Sequence, residues 1–263
     1  MTNKSKLESI WIPWMRRCLQ LASLASGRTS PNPLVGAVVL DDVGNLVGEG
    51  FHSYSGGPHA EILALSQASE KAKKGTLIVS LEPCCHFGKT PPCTQAILES
   101  GVSRVVVGLK DPDPRVSGKG IALLREYGID VITGILEEEA AYQNREFLFR
   151  VKTGRPWGIL KWAMSLDGRI ALKNGQSKWI SKENSRKTVH RLRSLCDAVI
   201  VGAGTVRSDN PLLTTRGLSS QEPLRVVVSN SLMLPKEADI FDTSIAPTII
   251  AHGPNIEESI INS

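Results

Sequence analysis

Apolar positions along the chain fall into short blocks whose spacing changes between helical and extended periods. Ile10, Trp14, Leu19, Leu21 and Leu24 recur at helical intervals over residues 10–25, and Gly27, Pro31 and Pro33 stop that pattern. Residues 34–40 form a short β-branched apolar run. The turn formers of Asp41-Asp-Val-Gly-Asn45 then lead into a second run ending at Phe51, which predicts a hairpin. The spacing further predicts a helix over 60–73, a buried strand over 76–81 and a helix opened by Pro91-Pro92 and closed by Gly101. A strand over 104–109, a helix over 120–127, a strand over 129–132 and one helix over 137–149 follow.

Strands alternating with helices predict a layered α/β domain over residues 1–150. Lys152-Thr-Gly-Arg-Pro156 combines charge with turn formers and marks a boundary. A second domain, residues 151–263, restarts the alternation. It has a strand near 158–163, a helix near 182–195, and strands over 198–201, 224–228 and 248–251. No internal repeat or low-complexity tract is visible.

Composition narrows the function classes. Apolar residues are 41% and charged residues 22%, which excludes wholesale disorder. No apolar run reaches the roughly 18–20 residues needed to cross a bilayer, so no membrane role is expected. The first ten residues are polar, and Arg16 with Arg17 interrupts the next apolar stretch, so a cytoplasmic protein is expected. The net charge of +5 suits phosphate-bearing ligands. With 5% aromatic residues, the chain lacks the stacking side chains of a nucleic-acid binder, and no nucleic-acid partner is expected.

Three of the five cysteines, Cys84, Cys85 and Cys93, crowd into ten positions. In a reducing compartment this points to metal binding or catalysis before disulfides. His59-Ala60-Glu61 opens one predicted helix, Pro83-Cys84 follows a strand, and Cys93 opens another helix. One imidazole and two thiolates form a three-ligand zinc set with an open fourth position, and helix N-termini favour the thiolate form. Zinc lowers the pKa of water to about 7, and Glu61, two residues from His59, is placed to shuttle the proton. Cys85 and His86 compete as ligands; Cys84 is preferred because it directly follows Pro83 after the strand. This is the layout of the zinc deaminases. The alternatives are a nucleoside or tRNA base deaminase, and a non-catalytic module in which zinc staples an oligomer.

Eight residues separate Cys84 from Cys93, against two in the usual zinc deaminase. That loop, with Ser30-Pro-Asn-Pro-Leu-Val-Gly36, Gly57-Pro-His-Ala-Glu61, Leu81-Glu-Pro-Cys84 and Thr90-Pro-Pro-Cys93, closely resembles the bifunctional deaminase/reductase family of riboflavin biosynthesis. The likeness extends through Lys161-Trp-Ala-Met-Ser-Leu-Asp-Gly-Arg169, Ser177-Lys-Trp-Ile-Ser181 and Gly204-Thr-Val-Arg-Ser-Asp-Asn-Pro211, and so covers essentially the whole chain.

The resemblance implies a cytidine-deaminase-like three-layer domain followed by a dihydrofolate-reductase-like domain. The first would hydrolyse the 2-amino group of 2,5-diamino-6-(5-phosphoribosylamino)pyrimidin-4-one; the second would use NADPH to reduce the opened ribose to a ribityl chain. By motif match, His59, Cys84 and Cys93 hold zinc, Glu61 is catalytic, and Asn32, His52 and Lys89 contact substrate. In the second domain the family pattern places Lys161, Ser177, Arg193, Leu213 and Arg216 around the substrate, and Ala163, Trp179, Thr205 and Asp209 near NADPH. Family members are homo-oligomers, so a dimer or tetramer is expected. Asp113 stands where Asn is expected in many relatives, a departure that bears on one pyrimidine or ribose contact. The family's later strands, with a Glu-Gly-Gly segment for the dinucleotide diphosphate, would lie beyond Ser263. Deamination is therefore expected to be intact in this chain, and reduction weak or absent.

Overall fold

The computed structural model describes residues 9–87 and 91–254, and the chain divides into two compact units, Met1–Ile159 and Leu160–Ser263. The first unit is built on a five-stranded sheet. Its strands are β1 (Gly36–Leu40), β2 (Leu46–Phe51), β3 (Thr76–Leu81), β4 (Arg104–Leu109) and β5 (Asp130–Thr133), in the order β2-β1-β3-β4-β5. The β1–β2 hairpin forms as its turn residues predict, with Asp41 Oδ1 accepting the N–H groups of Val43 and Asn45. β1 also runs antiparallel to β3, while β3, β4 and β5 are parallel.

Every residue of β3 is buried because helices cover both faces of the sheet. On one face α1 (Ile12–Ser23) packs Trp11, Met15, Cys18 and Leu21 onto Val38, Ile78 and Val106. On the other, α2 (Ala60–Ala68), α3 (Cys93–Glu99) and α4 (Lys119–Glu126) enclose Ala37, Val39, Leu77, Val79, Val105 and Val107. The result is three layers, helix–sheet–helix. α2 lies close to β2 because a Cβ at Gly48 would overlap the Ala64 carbonyl oxygen, so only glycine permits that approach.

Several elements differ from the periodicity: the helix expected over 60–73 ends at Ala68 and gives way to a 3-10 turn over Ser69–Ala72, and a helix not expected from the pattern covers Ala203–Asp209. The helix expected over 137–149 is two helices, α5 (Glu137–Gln143) and α6 (Arg145–Thr153), broken at Asn144. α6 ends at Gly154 in the left-handed conformation. The strand expected near 158–163 is absent: those residues form neither strand nor helix, and Leu160 and Trp162 are exposed. Apolar character alone does not make a strand without a neighbouring ladder to take its N–H and C=O groups.

The second unit carries α7 (Glu183–Arg193), β6 (Ala198–Gly202), α8 (Ala203–Asp209), β7 (Leu224–Val228) and β8 (Thr248–Ala251). β6, β7 and β8 form a parallel sheet in that order. One face packs Val206, Leu213, Val227 and Ile240 into a core; the row Ile200–Val226–Ile249 lies on the other, with Ile200 66% exposed. Arg225 is fully buried in β7, its guanidinium donating to the carbonyls of Asp242 and Ala246. Among the described residues no helix is long and apolar enough to cross a membrane.

Candidate active site

Three element ends meet beside the sheet of the first unit. His59 occupies the N-cap position of α2 in extended backbone, Cys84 lies just past β3, and Cys93 is the first residue of α3. His59 Nδ1 is 3.1 Å from Cys93 Sγ and 3.6 Å from Cys84 Sγ, and the three ligand atoms lie within 4.8 Å of one another. A tetrahedral zinc with bonds of about 2.3 Å to sulfur and 2.0 Å to nitrogen needs separations of this size, so the donor set fits the metal.

The polarity of the pocket favours thiolate. The Cys93 N–H, at the start of α3, donates to Cys84 Sγ at 3.3 Å. The Cys93 thiol, then His59 and that N–H, hold the Cys84 thiol well below the usual thiol range, against burial that pushes it up. Cys93 moves the other way, because it gives its proton to the hydrogen bond with Cys84 and is buried. The Cys84 sulfur also raises His59. Glu61, in the first turn of α2, is buried, and burial raises its carboxyl while neighbouring His59 pulls it back.

Neither competing ligand joins the trio. Cys85 Sγ sits 4.0 Å from the Arg115 carbonyl oxygen, and His86 is not among the clustered donors. Among the described residues the set is one nitrogen and two sulfurs.

Asn32 and His52 stand next to it. The His52 ring lies edge-on to the His59 ring, with centroids 5.6 Å apart. His52 Nδ1 is 3.0 Å from the Pro58 carbonyl oxygen, so that nitrogen donates, and Nε2 accepts from Asn32 Nδ2 at 3.1 Å. Both ring nitrogens of this buried histidine are therefore engaged within the protein, and the half-buried Asn32 carries the free polar edge. Lys89 lies outside the described residues.

Residues 111–121 are tied to the segment that carries Cys84. Buried Glu82 accepts the N–H groups of Asp111 (3.2 Å), Gly118 (2.9 Å), Gly120 (3.1 Å) and Ile121 (3.3 Å). Asp111 is raised to about 6 by burial. Asp113 is held near 2, first by its hydrogen bonds with Arg115, whose guanidinium takes both carboxylate oxygens. Asp113 thus has its countercharge two residues away.

In the second unit, His190 Nδ1 and Arg193 Nη1 both meet the Thr214 carbonyl, at 3.3 and 3.2 Å. Burial and then the neighbouring Arg216 charge lower Arg193. Arg193 and Arg216 are brought together, and His190, which the sequence reading did not single out, joins them. Leu213 is buried in the core, so only its backbone is available to a ligand. Trp179 is exposed, with the Arg186 guanidinium 4.4 Å from its ring centroid. Lys161 and Asp209 are exposed, while Ala163, Ser177 and Thr205 are half-buried. Where β6 runs into α8, a Cβ added at Gly202 or Gly204 meets nothing within 4 Å.

Sequence alone marks no role for Glu82 or Asn144. Glu82 is an acid directly after a mostly apolar strand, and Asn144 is a polar residue interrupting a helical pattern.

Comparison with known proteins adds the following. Residues 11–109 match the family described as the cytidine and deoxycytidylate deaminase zinc-binding region, and residues 156–262 match the RibD C-terminal domain. Riboflavin biosynthesis protein RibD of Synechocystis is 52% identical over 236 residues, 90% of this chain and 64% of that protein. Its counterpart in Aquifex aeolicus is 49% identical over 238 residues, 90% of this chain and 67% of that protein. The crystal structure of a diaminohydroxyphosphoribosylaminopyrimidine deaminase/5-amino-6-(5-phosphoribosylamino)uracil reductase from Thermotoga maritima shares 44% identity at a TM-score of 0.87, covering 93% of this chain and 70% of that one. The chain spans about two thirds of the length of these relatives.

Proposed function

This chain belongs to the RibD family of riboflavin-biosynthesis proteins, and on that premise we propose that residues 1–150 form a zinc-dependent deaminase and residues 151–263 part of an NADPH-dependent reductase. The substrate of the first is 2,5-diamino-6-(5-phosphoribosylamino)pyrimidin-4-one. The observation that carries this reading is the converging set of His59, Cys84 and Cys93 with Glu61 buried beside it.

When bound, zinc supplies Lewis acidity that makes water nucleophilic near neutral pH. The chain's own residues do the rest. Glu61 takes the proton of the attacking water and passes it to the departing amino group, so that water oxygen replaces nitrogen on the pyrimidine and ammonia leaves. Its buried carboxyl, raised by that burial, suits such a two-way transfer. Asn32 presents its carboxamide to the pyrimidine, His52 holds it, and Lys89 contacts the ribose phosphate.

In the second unit Lys161, Ser177, Arg193, Leu213 and Arg216 take the phosphoribosyl group, the two arginines gripping phosphate. Ala163, Trp179, Thr205 and Asp209 border NADPH, which supplies hydride when bound. We further assign the chain to the cytoplasm as a homo-oligomer, a dimer or tetramer, without nucleic-acid or membrane partners.

The deciding experiment offers the phosphoribosylated diaminopyrimidine to the zinc-loaded chain and follows ammonia. One ammonia per substrate, lost with a chelator and restored by zinc, is expected. No ammonia from the zinc-loaded protein would remove the deaminase reading and leave zinc as a staple.

A further inference from the structure

Residues 110–155 lie between the two matched regions, and they contain the broken helix pair α5–α6. Asn144 occupies the N-cap position of α6, where an Asn side chain commonly accepts an N–H of the first turn. It makes no such bond. Its carboxamide turns instead to a segment 110 positions earlier: Oδ1 accepts the Leu34 N–H at 2.8 Å and Nδ2 donates to the Leu34 carbonyl at 2.9 Å. The side chain gives Leu34 both bonds that a paired strand would give, and it is 2% exposed.

We propose that Asn144 is a positioning residue for the deaminase pocket, acting through the Leu34 peptide on the loop that carries Asn32. The inference rests on the deaminase reading above. Leu34 is two residues from Asn32, and on the other side of Asn32 the Pro31 carbonyl receives Arg150 Nη2 of α6 at 2.8 Å. Within the loop, the Asn32 N–H donates to the Thr29 carbonyl at 2.7 Å. Both shoulders of Asn32 are therefore tied to the α5–α6 pair. The remaining restraint is His52, whose Nε2 accepts a hydrogen bond from Asn32 Nδ2 and leaves Oδ1 to accept one from a ligand. Without the clamp, Leu34 loses both fixed partners and the loop that sets Asn32 against His52, whose ring meets that of His59, is no longer held.

Two measurements test this. In steady-state deamination, Asn144→Ala is expected to raise KM about tenfold or more through misplacement of a substrate contact, with kcat and zinc content nearly unchanged. If the effect runs through Asn32, adding Asn144→Ala to Asn32→Ala changes KM by less than about twofold, because coupled residues are not additive. In hydrogen exchange, the Asn32 and Leu34 amides of Asn144→Ala are expected to exchange about tenfold faster or more, with β3 unaffected. Should the alanine variant fail to fold, Asn144→Asp keeps an acceptor for the Leu34 N–H, loses the donor, and is expected to shift both readouts in the same direction.

Additive effects on KM, or unchanged exchange at Asn32 and Leu34, overturn the proposal. Exchange needs no turnover, so a wild-type chain that releases no ammonia would defeat the deaminase reading while the clamp is still decided.

Discussion

The substitution Glu82→Gln changes one atom and little volume, yet the structure assigns it a large cost. Glu82 directly follows β3 and is 3% exposed. One oxygen accepts from Asp111 and Gly118, the other from Gly120 and Ile121. Gly118 is the N-cap residue of α4, and the latter two lie in its first turn, so the carboxylate also faces the positive end of a helix. A carboxamide has a single oxygen. Whichever way it turns, its NH2 group faces two N–H donors and leaves both without an acceptor. At about 1–3 kcal/mol for each orphaned buried donor, the change costs roughly 2–6 kcal/mol. That is a large share of the roughly 5–15 kcal/mol that holds a domain together. Urea unfolding of the zinc-loaded protein, read by amide exchange in β3 and β4 so that only the first unit is followed, measures the loss. A change below about 1 kcal/mol, the range of ordinary surface substitutions, would refute the reasoning.

Two further expectations follow from the same site. Glu61→Gln should lower deamination by about 10²-fold or more while the protein still binds one zinc, since the carboxyl moves protons and holds no metal; retained turnover would remove that role. Asp111, raised by burial from 3.8 to about 6, binds its proton more tightly folded than unfolded. Its contribution to stability is therefore full below about pH 4 and is lost as pH rises through 6, so Asp111→Asn should raise the urea midpoint above pH 6 and leave it unchanged near pH 4. A variant that gains at both pH values contradicts that assignment.

Much of the first unit is legible in the sequence because its strands are short β-branched runs between strong turn formers. Leu224–Val228 and Thr248–Ala251 in the second unit are legible for the same reason. The convergence of His59, Cys84 and Cys93 into a candidate metal site is legible because each stands at an element boundary that local pattern marks. What escapes is contact between distant segments. Nothing near Asn144 reveals that its side chain serves Leu34 and not its own helix, and nothing near Glu82 foretells four N–H donors from residues 111–121. The run from 158 to 163 misleads for the converse reason: its strand-like pattern has no partner ladder. The family resemblance implies a substrate contact at His52, yet the fold uses both its nitrogens internally, which only the positions of Asn32 and Pro58 disclose.

Deamination by this chain requires a divalent ion held by three protein atoms with one corner left open. X-ray absorption at the zinc edge of the metal-loaded protein addresses this directly. One zinc per chain, with two sulfurs at about 2.3 Å and two lighter donors, is the expected shell. A third sulfur in that shell, which Cys85 would have to supply, or a protein that binds no zinc, contradicts it.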